Sequence, residues 1–389
     1  MDSEFDYNQV YETNVKHDSD EGSLSPLTFL ILVGLLLVIG LACMYSASFP
    51  EAVKRNLPHY YFFIRQLAFA VLGIVAAFIV NLIPFRFYKY GVVPLLLFSV
   101  FSMLMTSFTP FGITINGARR WLQLPYLPAF QPSEVVKFSM ILFLSYYLGN
   151  PEYRKNRLKF FSTLFLSIVL FSLMIVNQRA YTNMILFLII SAAILISGQV
   201  SLKYIITTLI FLSVPSAYIL LGEGYRVRRI ASFLFPKLDP SGLGYQTGMA
   251  INAIREGGFV GKGLGEGSYK YGLLPEVQND FIFANIVEEL GWVGAIFIIL
   301  LFCFLALIGF RSAQRISRNN MFLSLLAIGI TTSITAQVIL NIAVVTGLLP
   351  PTGIPLSFFS QGGTNLFITL IECGILYKII KTSVVDDRI

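Results

Sequence analysis

The sequence predicts an all-α polytopic membrane protein: ten transmembrane helices with one large extracytoplasmic loop between the seventh and the eighth. Three observations predict it. Of 389 residues, 56% are apolar and only 13% are charged, where a soluble globular chain carries about 25% charged residues. The apolar residues are gathered into long uncharged runs, such as 27–48 and 295–310, rather than spread over a core. Lys and Arg are also divided unevenly between alternate connections. Together these exclude a soluble enzyme. The three cysteines, Cys43, Cys303 and Cys373, all fall inside apolar runs. There they act as small hydrophobes and provide neither a disulfide framework nor a structural zinc site.

Residues 1–26 hold seven acids and one base, which leaves 27 bases against 14 acids in the remainder. This stretch reads as a disordered, acidic cytoplasmic tail. It is too polar for the basic region of a cleavable signal, so the first span is retained. A spanning helix needs about 20 mainly apolar residues. Segments of that kind start near residues 27, 60, 90, 131, 160, 182, 203, 281, 321 and 362. They define a membrane domain over 27–381 and a short cytoplasmic tail over 382–389. Placing the N-terminus in the cytoplasm collects 14 Lys and Arg inside and leaves four, Lys54, Arg55, Arg119 and Arg120, in the short outer loops. N-in and C-in follows. The loop 222–280 is rich in glycine, interleaved with Tyr245, Phe259, Leu264 and Tyr271, and reads as an ordered, mobile cap rather than a linker.

An ionisable residue within a span is costly and is a functional hypothesis by default. Arg65, Glu134, Lys137, Arg179 and Asp280 all fall near the outer ends of their segments, whereas Glu288, Glu289 and Glu372 are expected deeper, about 12–15 Å below those ends. Glu134 and Lys137, at i and i+3, share one helical face within ion-pair reach. On the same side stand Arg119, Arg120, Arg226, Arg228 and Arg229, a concentration of guanidinium groups suited to an anionic ligand, phosphate above all. The competing reading is solvated loop charge. Asp280 sits where the cap meets the membrane, followed by Phe281, Ile282 and Phe283. It fits either a general base in an apolar setting or the N-cap of the next helix.

Several motifs carry a family resemblance. Asn116-Gly-Ala-Arg-Arg-Trp121, Gln131-Pro-Ser-Glu-Val-Val-Lys137, Leu274-Pro-Glu-Val-Gln-Asn-Asp-Phe-Ile-Phe283 with Glu288-Glu-Leu-Gly291, and Gly347-Leu-Leu-Pro-Pro-Thr-Gly-Ile-Pro-Leu356 with Ser360-Gln-Gly-Gly363 occur in order. Tyr45-Ser-Ala-Ser48 and Gly242-Leu-Gly-Tyr-Gln246 fit beside them. The chain resembles the SEDS family (shape, elongation, division and sporulation) over nearly its whole length after residue 26. Asn341-Ile-Ala-Val-Val-Thr-Gly347 is more similar to the division branch, FtsW, than to the elongation branch, RodA.

The resemblance implies a ten-span peptidoglycan glycosyltransferase of the bacterial cytoplasmic membrane. Such an enzyme polymerises lipid II into β-1,4 glycan and works with a class B penicillin-binding transpeptidase and other division proteins, with no nucleic acid involved. It implies Asp280 as the catalytic aspartate and Glu134 and Lys137 as cavity residues. Glu276 and Gln278 then lie beside the substrate, Arg119, Arg120, Arg179, Arg226, Arg228 and Arg229 toward its pyrophosphate, and a divalent cation, Mg or Mn, is a candidate cofactor with its ligands unassigned.

The chain departs from the family pattern at Gln178-Arg-Ala-Tyr181, where an acid is usual and Ala180 stands instead. It departs again at Gln278-Asn279 in place of His-Thr, at Ser357 in place of proline and at Gln361 in place of tyrosine. Arg179 is then a candidate to supply positive charge directly. Three rivals remain at this level: an elongation-type polymerase, a lipid-precursor flippase or transporter using Glu288 and Glu372, and a non-catalytic scaffold that recruits a transpeptidase.

Overall fold

A computed structural model describes residues 25–115, 117–222 and 243–386. The acidic tail, the motif residue Asn116, and Arg226, Arg228 and Arg229 lie outside these residues.

The protein is predominantly helical, and helices begin near each of the apolar segments. They are α1 (Pro26–Lys54), α2 (Tyr61–Leu82), α3 (Phe85–Phe108), α4 (Pro132–Gly149), the short α5 (Pro151–Arg154), α6 (Arg157–Asn177), α7 (Tyr181–Ser197), α8 (Leu202–Gly222), α9 (Leu243–Gly257), α10 (Ile282–Ile316), α11 (Met321–Val345) and α12 (Gly363–Asp386). Among the described residues, seven helices are long and apolar enough to cross a membrane: α1, α2, α3, α6, α10, α11 and α12. The chain is therefore a multi-pass membrane protein.

Local chemistry fixes several starts. Ser25 accepts from the N–H of Leu27 ahead of Pro26, Pro132 opens α4, and Asn156 and Asn320 cap α6 and α11. These are the residues best suited to the unsatisfied N–H groups of a first turn or, for proline, to a position needing none.

The centre of the bundle is formed by α4 and α11. In α4 the residues from Pro132 to Val136, and Lys137 with them, are all buried, and α11 is buried along most of its length. Close approach of α2 and α12 depends on small residues. A Cβ on Gly374 would stand 2.8 Å from the Cβ and carbonyl oxygen of Ala77, and Gly73 faces Leu370. In lipid, where apolar surface gives no preference for protein neighbours, such backbone-close packing supplies much of the association between helices.

Between α3 and α4, read from sequence only as an outer loop, lie two antiparallel strands, β1 (Gly112–Ile115) and β2 (Ala118–Leu122). Ile113 pairs with Trp121 but Thr114 pairs with Arg119. Arg120 is thus the extra residue of a bulge, which re-aims its side chain.

The largest departure from expectation is in α10. Its 35 residues would measure about 52 Å if straight, well beyond a hydrocarbon core of about 30 Å. It is not straight: Gly291 adopts φ 68° and ψ −175° and breaks the helix. The cap backbone fills the break. Lys262 and Gly263 donate to the carbonyls of Glu288 and Glu289, while Trp292 and Val293 donate to those of Gly258 and Phe259. Two carbonyls of the first new end and two N–H groups of the second are thereby satisfied. Residues 292–316, about 37 Å long, suffice to span alone. Glu288 and Glu289 therefore sit at the cap-side end of the spanning segment. The sequence reads through this break as one continuous helix.

Candidate functional site

One end of the bundle carries the hairpin, the cap and the connection between α11 and α12. Thr182 donates to the Thr352 carbonyl at 3.0 Å, Gln361 N–H to the Gln278 carbonyl at 2.8 Å, and Gln131 N–H to Thr364 Oγ1 at 3.2 Å. These bonds gather the ends of α4, α7, α10 and α12 around residues 352–364. That segment dips into the bundle: Ile354, Leu356, Phe358 and Phe359 are buried, and Gly40 of α1 has no side chain because the Phe358 carbonyl occupies its place. Gln66 of α2 holds it from the other side, donating to the Ser360 carbonyl and accepting from Gly362 N–H.

The Glu134–Lys137 pair expected from spacing is present, with Nζ 2.9 Å from Oε2 and both side chains almost fully buried. It does not simply neutralise itself. Asn365 Nδ2 donates to Glu134 Oε2 at 2.9 Å, and Gln337 Oε1 accepts from both Asn365 and Lys137. Buried charges require this kind of completed bonding. Glu372 is buried nearby, about two turns beyond Asn365 on α12.

Asp280 is half-buried, one residue before the N-cap position of α10. That position is Phe281, and no side chain caps the helix. The N-cap reading of Asp280 is thereby removed. Asn341 Nδ2 donates to the Asp280 carbonyl at 2.8 Å and to the Ile354 carbonyl at 2.7 Å, while Gln337 Nε2 donates to the Pro355 carbonyl at 2.9 Å. Asp280 Oδ2 lies 3.9 Å from the point where a Cβ on Gly353 would be. Gln337 and Asn341, at i and i+4 on α11, thus tie Asp280 and the Glu134–Lys137 pair to the same short stretch, 353–355. Sequence reasoning missed Gln337, Asn365 and the bridging role of Asn341. Two amides one turn apart in a span without charged residues were the signal that could have found Gln337 and Asn341.

The arginines divide. Arg119 turns toward the protein: its Nε donates to the Gly112 carbonyl, Nη1 to Ser107 and Nη2 to Thr109. It closes the last turn of α3, where unsatisfied carbonyls favour a cation. Three of its guanidinium donors are thus spent on the protein. Arg120 donates to the Arg179 carbonyl, and Arg179 Nη1 donates to the Gly117 carbonyl at 2.8 Å, so both brace the hairpin against the α6–α7 turn. Arg179 is exposed and has φ 60°, and Ala180 behind it is buried. Ala180 N–H bonds the Ile175 carbonyl and Arg179 N–H that of Val176. This is a Schellman ending with arginine where glycine is usual. Glu276 is exposed and accepts from Asn279, and Gln278 is buried.

Among the described residues, no group of three or more His, Cys, Asp or Glu side chains could enclose a metal ion. The position where the resemblance expects an acid is the buried Ala180. Among the described residues these donors form no cage that would hold a divalent cation by protein ligands alone.

In the cap, Glu256 is held below its ordinary carboxylate range by hydrogen bonds from Lys262 and Tyr269. Tyr269 is raised, first by its bond to Glu256.

The family model for the FtsW/RodA/SpoVE cell cycle proteins matches residues 27–384. A relative from Borreliella burgdorferi, named probable peptidoglycan glycosyltransferase FtsW, is 35% identical over 355 residues, covering 91% of this chain and 96% of its own. Stage V sporulation protein E of Bacillus subtilis is 34% identical over 361 residues, covering 92% and 97%. Among solved structures, a chain of a peptidoglycan synthase complex that coordinates polymerization and crosslinking superposes with TM-score 0.74 at 22% identity, covering 91% of this chain and 97% of that one. RodA of Thermus thermophilus superposes at 0.64 with 21% identity, covering 91% and 95%. With its motifs in order and its helices in the same arrangement, this chain belongs to the FtsW/RodA/SpoVE family.

Proposed function

We propose that the protein is a peptidoglycan glycosyltransferase that polymerises lipid II at the outer face of the bacterial cytoplasmic membrane during division. The observation that carries this reading is the joint fixing of Asp280 and the Glu134–Lys137 pair to residues 353–355 by Asn341 and Gln337. It supports a carboxylate and a buried charged pair acting at one end of the bundle. Asp280 is the general base: it removes the proton of a GlcNAc 4-hydroxyl as that oxygen attacks the anomeric carbon of a lipid-linked MurNAc. The bond to the lipid pyrophosphate breaks with inversion, so a single base and stabilisation of leaving-group charge are sufficient. Lys137, Arg120, Arg179 and the arginines at 226, 228 and 229 favour the pyrophosphate, with Glu276 and Gln278 flanking the base.

The same reading takes α4, α7 and α8 as three further spans beside the seven apolar helices, giving ten, with N-terminus and C-terminus in the cytoplasm and the cap outside. The first 26 residues and those after 381 flank the membrane domain. The partner is a class B penicillin-binding transpeptidase with other division proteins. A transporter would find one broken helix here, but the gap at Gly291 is filled by cap backbone, which speaks against an ion path there.

Polymerisation of lipid II by the purified full chain, with and without its partner transpeptidase, tests the reading. Glycan strands in either condition are expected. Folded protein that yields none in both would contradict it.

A further inference from the structure

Glu288 and Glu289 end the leading segment of α10 and take no part in the reaction described. Glu289 is 1% exposed. Its Oε1 accepts from Lys270 Nζ and Ser46 Oγ, each at 2.7 Å, and its Oε2 accepts from Gly265 N–H at 3.0 Å. Lys270 Nζ completes the circuit with bonds to Ser46 Oγ at 2.8 Å and the Gly265 carbonyl at 2.7 Å. Glu288 is fully buried and accepts from Lys262 Nζ, Ser268 N–H and Ser268 Oγ at 2.7–2.9 Å. Gly267 is seated so tightly that a Cβ would lie 2.9 Å from Glu289 Oε1 and 3.1 Å from Glu288 Oε2. Three separate elements thus converge on this pair: α1 through Ser46, the cap through Lys262 to Lys270, and α10.

Ion pairs buried this deeply seldom add stability over a well-packed apolar contact. What they supply is direction, since the Glu289 carboxylate and the Lys270 ammonium are bonded to partners on three elements. Asp280 lies at the other end of the same segment, nine residues from Glu289, or about 13 Å along a helix. Every residue from Phe281 to Glu289 is buried. The segment is therefore a short, fully packed rod with the candidate base at one end and the circuit at the other.

We propose that Glu289, with Lys270 and Ser46, is a positioning residue for Asp280: the circuit clamps the far end of the rod to α1 and the cap, and so sets where the carboxylate of Asp280 stands. The inference rests on Asp280 being the base. A misplacement of about 1 Å in a catalytic group can lower turnover by as much as 10²-fold.

The test uses the purified full chain and lipid II, with kcat and KM measured separately. Glu289→Gln is expected to lower kcat at least tenfold while KM stays within about twofold. Added to Asp280→Glu, which keeps a displaced carboxylate, it is expected to cause little further loss, because both changes act through one group. Losses that multiply, or a change confined to KM, would overturn the proposal. Should Glu289→Gln fail to fold, Ser46→Ala decides, since it removes one hydroxyl: a severalfold loss in kcat supports the clamp, and wild-type kcat overturns it. Near-normal polymerisation by Asp280→Ala would instead remove the assignment of the base itself, an outcome separable from failure of the clamp.

Discussion

At the scale of single residues, the site is a set of polar groups bonded to one another and to the backbone of residues 354–355. Lys137 and Glu134 are the clearest case. Removing one member of a buried pair leaves an uncompensated charge, which costs about 3–5 kcal/mol. Glu134→Ala and Lys137→Ala should each lower both thermal stability and polymerisation, and the double change should be milder in stability than either single one; melting of the purified variants checks this. Arg179 makes a second prediction. If its guanidinium replaces metal charge near the pyrophosphate, Arg179→Ala should weaken lipid II use, and wild-type activity should survive chelation of divalent ions. An assay across chelator and magnesium concentrations reads both, and abolition of wild-type activity by chelator would count against the idea. The pair and Asp280 were legible because ionisable groups in apolar runs are conspicuous and i, i+3 spacing fixes a shared face. The carbonyl contacts of Arg119 were not, because a loop arginine reaches a helix's last carbonyls only through a hairpin that no local pattern announced.

At the scale of elements, helices were readable and breaks were not. A run of about 20 apolar residues reports its own need for lipid or core. The fracture of α10 at Gly291 exists only because the cap donates and accepts backbone bonds there, and those come from residues about 30 positions earlier in the chain. A Cβ at Gly291 would collide with the backbone of residues 259–261, and its φ of 68° suits glycine. Gly291→Ala should therefore detach the cap from the helix break and expose residues 258–270, to be seen as faster amide exchange there, while residues 300–316 keep wild-type protection. The α2–α12 contact provides a control elsewhere in the molecule. Gly374→Leu should destabilise that packing by about 1–3 kcal/mol without altering the KM for lipid II in protein that remains folded.

At the scale of the whole molecule, a bundle centred on α4 and α11 supports a polar end where cap, hairpin and the 352–364 segment meet. That the chain crosses a membrane many times was written in its composition. How the cap docks was not, because glycine-rich sequence permits many paths and only tertiary contacts select one. The central claim is that this polar end carries out general-base glycosyl transfer through Asp280. Polymerisation of lipid II by purified Asp280→Ala, set beside wild type of equal melting temperature, tests it most directly. A fall of about 10²–10⁴-fold in turnover is predicted, and near-normal glycan synthesis by the folded variant would contradict it.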